Sequence, residues 1–167
     1  MLSPSGRLLI NRVKGRERTV NVDGVDIVSA EQSGYALHLI SASRDGEEWS
    51  VSVEDGGRVC ITGGKAVVSF DERWMTLHHY TTAADAAALG FVDAADPGFA
   101  PYATLGSSDI YLVDLLTGVP RRITNVGPGQ YALFPHFRSD GWIYFVVRTL
   151  DGEEYFAASD AALVAAE

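Results

Sequence analysis

Apolar residues in this chain fall into short runs, several alternating with polar positions: Leu8-Leu9-Ile10, Tyr35-Ala36-Leu37-His38-Leu39-Ile40, Trp74-Met75-Thr76-Leu77-His78-His79-Tyr80 and Trp142-Ile143-Tyr144-Phe145-Val146-Val147. Their brevity and their β-branched and aromatic content predict strands. A second strand is predicted after each, at Thr19-Val20-Asn21-Val22, Trp49-Ser50-Val51-Ser52-Val53, Asp109-Ile110-Tyr111-Leu112-Val113-Asp114 and Tyr155-Phe156-Ala157-Ala158. Arg44-Asp45-Gly46 and Asp151-Gly152 supply hairpin residues that tolerate positive φ. Third strands are predicted beyond Gly turns, over residues 55–62 and 117–124. The fold class is all-β.

Each lead strand follows a turn of similar makeup: Ser3-Pro4-Ser5-Gly6, Glu31-Gln32-Ser33-Gly34, Ser69-Phe70-Asp71-Glu72 and Arg138-Ser139-Asp140-Gly141. A turn recurring before a hairpin marks a repeat, and a four-stranded meander of this kind makes one propeller blade. The predicted organisation is a single propeller-like domain over 1–167, with approximate repeats 1–30, 31–66, 67–126 and 127–167.

The run Phe134-Pro135-His136-Phe137-Arg138-Ser139-Asp140-Gly141-Trp142-Ile143-Tyr144-Phe145 resembles the opening of a TolB-type β-propeller repeat. Asp109-Ile110-Tyr111-Leu112-Val113-Asp114, with Thr117-Gly118 and Arg121-Arg122-Ile123-Thr124, resembles the close of one. The resemblance is strong over 107–156 and looser over 1–80; Arg138 and Ser33-Gly34 depart from the family pattern. It implies a β-propeller or partial propeller of about four antiparallel meander blades, and an extracytoplasmic setting in bacteria, periplasmic or extracellular. At about 40–45 residues per blade, the chain supplies about four at most, whereas the resemblance implies six or more in a closed ring. The chain is expected to be a small propeller, a fragment of a larger one, or a half completed by another chain.

An insertion over 83–106 interrupts the third repeat. It opens with Ala83-Ala84-Asp85-Ala86-Ala87-Ala88-Leu89, which favours helix, and a loop of this length is either functional or disordered. A short C-terminal helix is expected after Ser159 or Asp160, either of which can cap it.

The net charge of −9 argues against a nucleic-acid surface. Arg7, Arg12, Lys14, Arg16 and Arg18 form a local basic stripe, read as a solvated strand face. No stretch has the apolar length of a spanning helix or a signal-peptide core, so no membrane insertion is expected. The single cysteine, Cys60, lies in the apolar run Val59-Cys60-Ile61 and is expected to be a buried, inert thiol.

His78 and His79 must point to opposite faces of their strand. His78 and His136 are candidate ligands for a transition metal, although zinc asks for three or four convergent groups. Oxygen-rich acidic loops leave calcium as an alternative although they lack the spacing of a calcium loop, and no cofactor is implied. Neither a nucleophile elbow nor a full phosphate loop is present; Thr62-Gly63-Gly64-Lys65 reads as an inter-blade turn. Phe91, Phe99, Tyr102, Tyr131 and Phe134 are the candidate contact residues, because aromatic side chains concentrate in interface hot spots. The expected role is non-catalytic: protein interaction or assembly, by a protein partner or by self-association through open blade edges. The alternatives are an accessory, gating propeller of a larger hydrolase or peptidase, and a small metal- or ligand-binding propeller.

Overall fold

The structure is a computed structural model that describes residues 1–15, 17–22, 25–30 and 33–165. Arg16, the side chain of Arg18, and Glu31-Gln32 of the second repeat turn lie outside the described residues. The chain divides into two compact units, Met1–Thr62 and Gly63–Glu167. It is all-β, and among the described residues no sheet closes on itself. No helix among them is long and apolar enough to cross a membrane.

In the first unit, β1 (Leu8–Val13), β4 (Gly34–Asp45) and β5 (Glu48–Val59) form an antiparallel sheet in the order β1-β4-β5. Strands β2 (Glu17–Val22) and β3 (Val25–Ala30) pair with each other in a separate ribbon. The segment Thr19–Val22 is therefore not the partner of Leu8–Ile10. Leu8 and Ile10 instead pair with Leu39 and Leu37, which puts the buried side chains of Leu8, Ile10 and Leu37 on one face. Asp55-Gly56-Gly57, expected as a turn, is a bulge within the continuous strand β5. Gly57 sits at φ +109 and donates its N–H to Asp55 Oδ1 at 3.0 Å, a local bond that stabilises the kink without ending the strand. Cys60 is exposed, contrary to expectation. The cause is alternation: Val59 and Ile61 both point inward, so the residue between them faces out.

In the second unit, β6 (Gly64–Val68), β7 (Trp74–Tyr80), β8 (Ser108–Asp114) and β9 (Pro120–Arg122) form an antiparallel meander. Gly64 and Lys65, expected in an inter-blade turn, begin β6. Strands β10 (Gln130–Phe137), β11 (Ile143–Thr149) and β12 (Glu154–Ser159) form a second meander. One parallel bridge, Tyr131 to Ser108, joins the two, and the Ser108 hydroxyl donates to Ala132 O at 2.9 Å beside it. Trp74, Ile110 and Leu112 from the first meander share a core with Ala132, Phe137, Ile143, Phe145 and Val147 from the second. The meanders thus stack through apolar faces. The helix α1 (Ala100–Leu105) lies in the insertion and α2 (Ala161–Val164) closes the chain. Ser159 Oγ accepts the Ala161 N–H at 3.2 Å. The alanine-rich stretch is not one helix but two single 3-10 turns, Ala83–Asp85 and Ala87–Leu89, ended by Gly90 at φ +91.

Three of the repeat turns close with the N–H of the fourth residue donating to the carbonyl of the first, and the two that open with serine add the same pair of bonds. Ser3 N–H donates to Leu8 O and Leu8 N–H to Ser3 Oγ; Ser69 N–H donates to Trp74 O and Trp74 N–H to Ser69 Oγ. The fourth turn position is left-handed in each, at Gly6, Glu72 and Gly141. For a non-glycine residue that conformation costs about 1–2 kcal/mol. In urea unfolding Glu72→Gly is expected to be more stable than Glu72→Ala by roughly 0.5–1 kcal/mol, since both remove the Glu72 side chain with its contacts and only glycine relieves the backbone, less its extra chain entropy. Gly141→Ala is expected to unfold at a lower urea concentration than wild type, since a Cβ there would meet Leu163 Cδ2 at 2.5 Å in addition to the backbone strain. Equal midpoints for the two Glu72 variants, and for Gly141→Ala and wild type, would contradict this reading of the turns.

Candidate functional site

The insertion leaves the sheet at the end of β7 and returns at the start of β8. Its own aromatic residues hold it together. The rings of Phe91 and Phe99 lie 5.7 Å apart, Phe91 and Tyr102 5.7 Å, and Phe99 stacks on Tyr102 at 5.9 Å. Phe99 is buried, so in this trio it acts as the core of the loop. Tyr131, on β10, donates its hydroxyl to Leu105 O at 2.5 Å, and Gly129 N–H donates to Gly106 O at 2.7 Å. These two bonds fasten the end of the insertion to the second meander.

Phe134 belongs to another cluster. Its φ of +54 falls at the irregularity in β10 between Leu133 and His136, where the strand bends and turns the ring outward. It meets His78 edge-on at 5.7 Å, with Lys65 Nζ 5.9 Å above the ring. His78 also meets Tyr80 at 5.3 Å, and Tyr80 lies 6.3 Å from Tyr131. His78 is buried among these rings, whereas His136 is exposed on β10 in register with Tyr144. Among the described residues no group of three or more His, Cys, Asp or Glu side chains converges as a metal site would require.

The neighbouring His79 meets a carboxylate. His79 Nε2 lies 3.0 Å from Asp85 Oδ2, and the same oxygen accepts the Thr82 N–H and hydroxyl, both at 2.7 Å. Partial burial acts to raise the Asp85 pKa, but the hydrogen bonds from Thr82 and His79 outweigh it, and the carboxyl sits below its ordinary value. The available sequence signal was Thr82-Ala83-Ala84-Asp85, a helix-opening spacing in which the fourth residue reaches back to the first N–H. Beside it, Asp109 is buried on the same face of the sheet as His79, its cross-strand partner. Burial raises the Asp109 pKa against hydrogen bonds from Thr124 Oγ1 at 2.6 Å and Val126 N–H at 3.1 Å and the charge of Arg122 at 3.7 Å. This polar cluster anchors β9, the following loop and the insertion to one pair of strands.

No protein-family model matches the sequence, and no curated protein matches it. Among solved structures the chain is similar to TolB from Acinetobacter baumannii, with 12% sequence identity and a TM-score of 0.28. The match covers 95% of this chain and 42% of that one, so the chain spans less than half the length of that protein. A likeness of this degree carries no argument about blade number or role.

The two aspartates give opposite pH dependences. Asp85, with a lowered folded pKa, contributes stability that is present above its unfolded value of about 3.9 and lost as the pH falls through the folded value. Asp85→Asn is expected to cost about 1 kcal/mol near neutral pH and nothing once the wild-type carboxyl is protonated. Asp109, with a raised folded pKa, costs stability as the pH climbs from about 3.9 to its folded value, and Asp109→Asn is expected to flatten that decline. Urea titrations of the variants across pH check both signs.

Proposed function

We propose that this chain is a non-catalytic protein-interaction and assembly module of the TolB-like β-propeller type, and that it assembles through the β4–β5 hairpin. The supporting observation is the outer face of that hairpin. Trp49, Val51 and Val53 are 67%, 64% and 58% exposed, opposite Arg44, Ala42 and Ile40 on β4. The bulge at Asp55–Gly57 shifts the side-chain alternation by one residue, which sends these apolar groups to the face opposite Leu37. The other face carries serines, and Ser41 Oγ lies 2.6 Å from Ser52 Oγ there.

The sheet order ends at β5, so the outer edge of that strand has no partner strand among the described residues. Proteins normally shorten, charge or cover such an edge, because its free N–H and C=O groups template another strand. The ends of the strand carry Glu48, Glu54, Asp55 and Arg58 together with the bulge, but Lys and Pro are absent, residues 49–53 are uncharged, and Trp, a frequent interface anchor, is among them.

A second copy of β5 fits the edge. In an antiparallel two-fold pairing centred on Ser52, Val51 meets Val53 of the other copy, Ser50 meets Glu54, Trp49 meets Asp55 and Glu48 meets Gly56. No acidic residue then faces another across the pair, which matters for a chain of net charge −9. The stacked meanders of the second unit support the propeller part of the reading, since adjacent blades pack through their faces in the same way.

Light scattering behind a sizing column, over a dilution series, tests the proposal. Wild type is expected to show twice the 18.0 kDa chain mass at high concentration. Val51→Lys, which places a protective charge on the edge, is expected to remain monomeric with unchanged circular dichroism. A wild-type monomer at every concentration would refute assembly through this edge.

A further inference from the structure

The second unit contains a cavity of about 460 Å³ lined by none of the residues of the insertion or its anchors. Its mouth is formed by two of the repeat turns, the one before β7 and the one before β11, which face each other across it. Its floor is apolar. Trp74 and Phe137 are 6% and 9% exposed, and Leu163 of α2 closes one side. The volume lies inside the range of about 300–1,000 Å³ common to small-molecule sites, and an apolar floor with a few polar groups at the rim is their usual makeup.

The charges at the mouth do not balance. The charged lining residues are Asp71, Arg138 and Asp140. Arg138 Nη2 pairs with Asp140 Oδ2 at 2.9 Å, and its other terminal nitrogen donates to the Tyr144 hydroxyl at 3.1 Å. Asp140 Oδ1 is taken by the Trp142 N–H, and Asp71 Oδ1 by the Ser69 hydroxyl at 2.5 Å and the Arg73 N–H at 3.1 Å. Asp71 Oδ2 has no hydrogen-bond or ion-pair partner among the described residues. Arg73, whose guanidinium carbon stands 5.1 Å from the Trp74 ring, is held by Asp114 at 2.8 Å. One uncompensated carboxylate therefore stands at the rim of an aromatic-floored pocket.

We propose that this cavity binds an organic cation, an ammonium or guanidinium on an apolar body, with the head at Asp71 and the body against Trp74 and Phe137. Apolar area is buried on the floor, and the carboxylate sets the sign of the head group. The same chemistry is offered by a free amine and by a basic side chain next to an aromatic one in a peptide. The assignment is independent of the assembly proposal, because cavity and hairpin lie in different units.

The test uses the full chain and three probes of one shape: 2-phenylethylammonium, the neutral 2-phenylethanol and the anionic phenylacetate. Calorimetric titration, with the Trp74 indole N–H followed by NMR, reads both affinity and place. The ammonium is expected to bind with a Kd on the order of 1 mM, about five-fold tighter than the alcohol, with phenylacetate weakest. Asp71→Asn is expected to remove the preference for the ammonium, and Leu163→Trp, at a half-exposed position, to abolish binding of all three. Competition by acetyl-Phe-Lys-amide at lower concentration than the ammonium would identify a peptide as the natural source, and its failure to compete a free amine. Equal affinity of wild type for the ammonium and the alcohol, no saturable binding, or undiminished binding by Leu163→Trp would overturn the proposal.

Discussion

The β7–β8 pair has apolar side chains to bury on both of its faces. Met75, Leu77 and Val113 are fully buried on one side, and Trp74, Ile110 and Leu112 are buried on the other. A two-stranded ribbon with one apolar face can lie on a core, but one with two must sit inside it. The second meander covers the Trp74 face with Phe137, Ile143, Phe145 and Val147. At roughly 1.5–3 kcal/mol for each large side chain buried, this shared face is a large stabilising term in the unit. The parallel bridge at Ser108 and the cavity between the two turns follow from that stacking.

Burial also sets the electrostatics. Asp109 lies on the other face of the same pair, where a carboxylate is tolerated because Thr124, Val126 and Arg122 surround it. Each of these partners comes from β9 or from the loop that follows it, so the charge organises the chain as it leaves the meander. On the same face, His79 and Asp85 hold the first turn of the insertion, while Tyr131 holds its end. The insertion is thus secured at both ends and packed on its own aromatic trio. Phe91, Phe99 and Tyr102 serve that packing, whereas Phe134 and Tyr131 are joined through His78 and Tyr80, with Tyr131 also bonded to the end of the insertion.

Local features were legible in the sequence and distant ones were not. The turns at 69–72 and 138–141 and the hairpins at Asp45-Gly46 and Asp151-Gly152 form where glycine, aspartate and serine marked them, because turn chemistry is fixed by a few adjacent residues. The pairing of β1 with β4 across an intervening ribbon carries no local mark; it emerges from the match of Leu8 and Ile10 to Leu39 and Leu37. Asp55-Gly56-Gly57 reads equally as turn or bulge, and the choice depends on the partner strand. Alternation would have placed Cys60 outside had Val59 and Ile61 both been assigned to the interior. Of the aromatic candidates, the trio in the insertion could be grouped by composition, but the cavity could not, since Asp71, Phe137 and Leu163 meet only once the meanders stack.

The proposed role rests on the free edge of β5, and amide hydrogen exchange resolved along Glu48–Val59 addresses that edge most directly. In an antiparallel sheet, alternate N–H groups of an edge strand bond inward and the rest face solvent. In dilute solution the account requires an alternating pattern, with the outward amides around Ser52 exchanging fast, and those same amides becoming protected as concentration rises. Fast exchange at the outward amides that persists at every concentration would contradict the claim that a second strand pairs there.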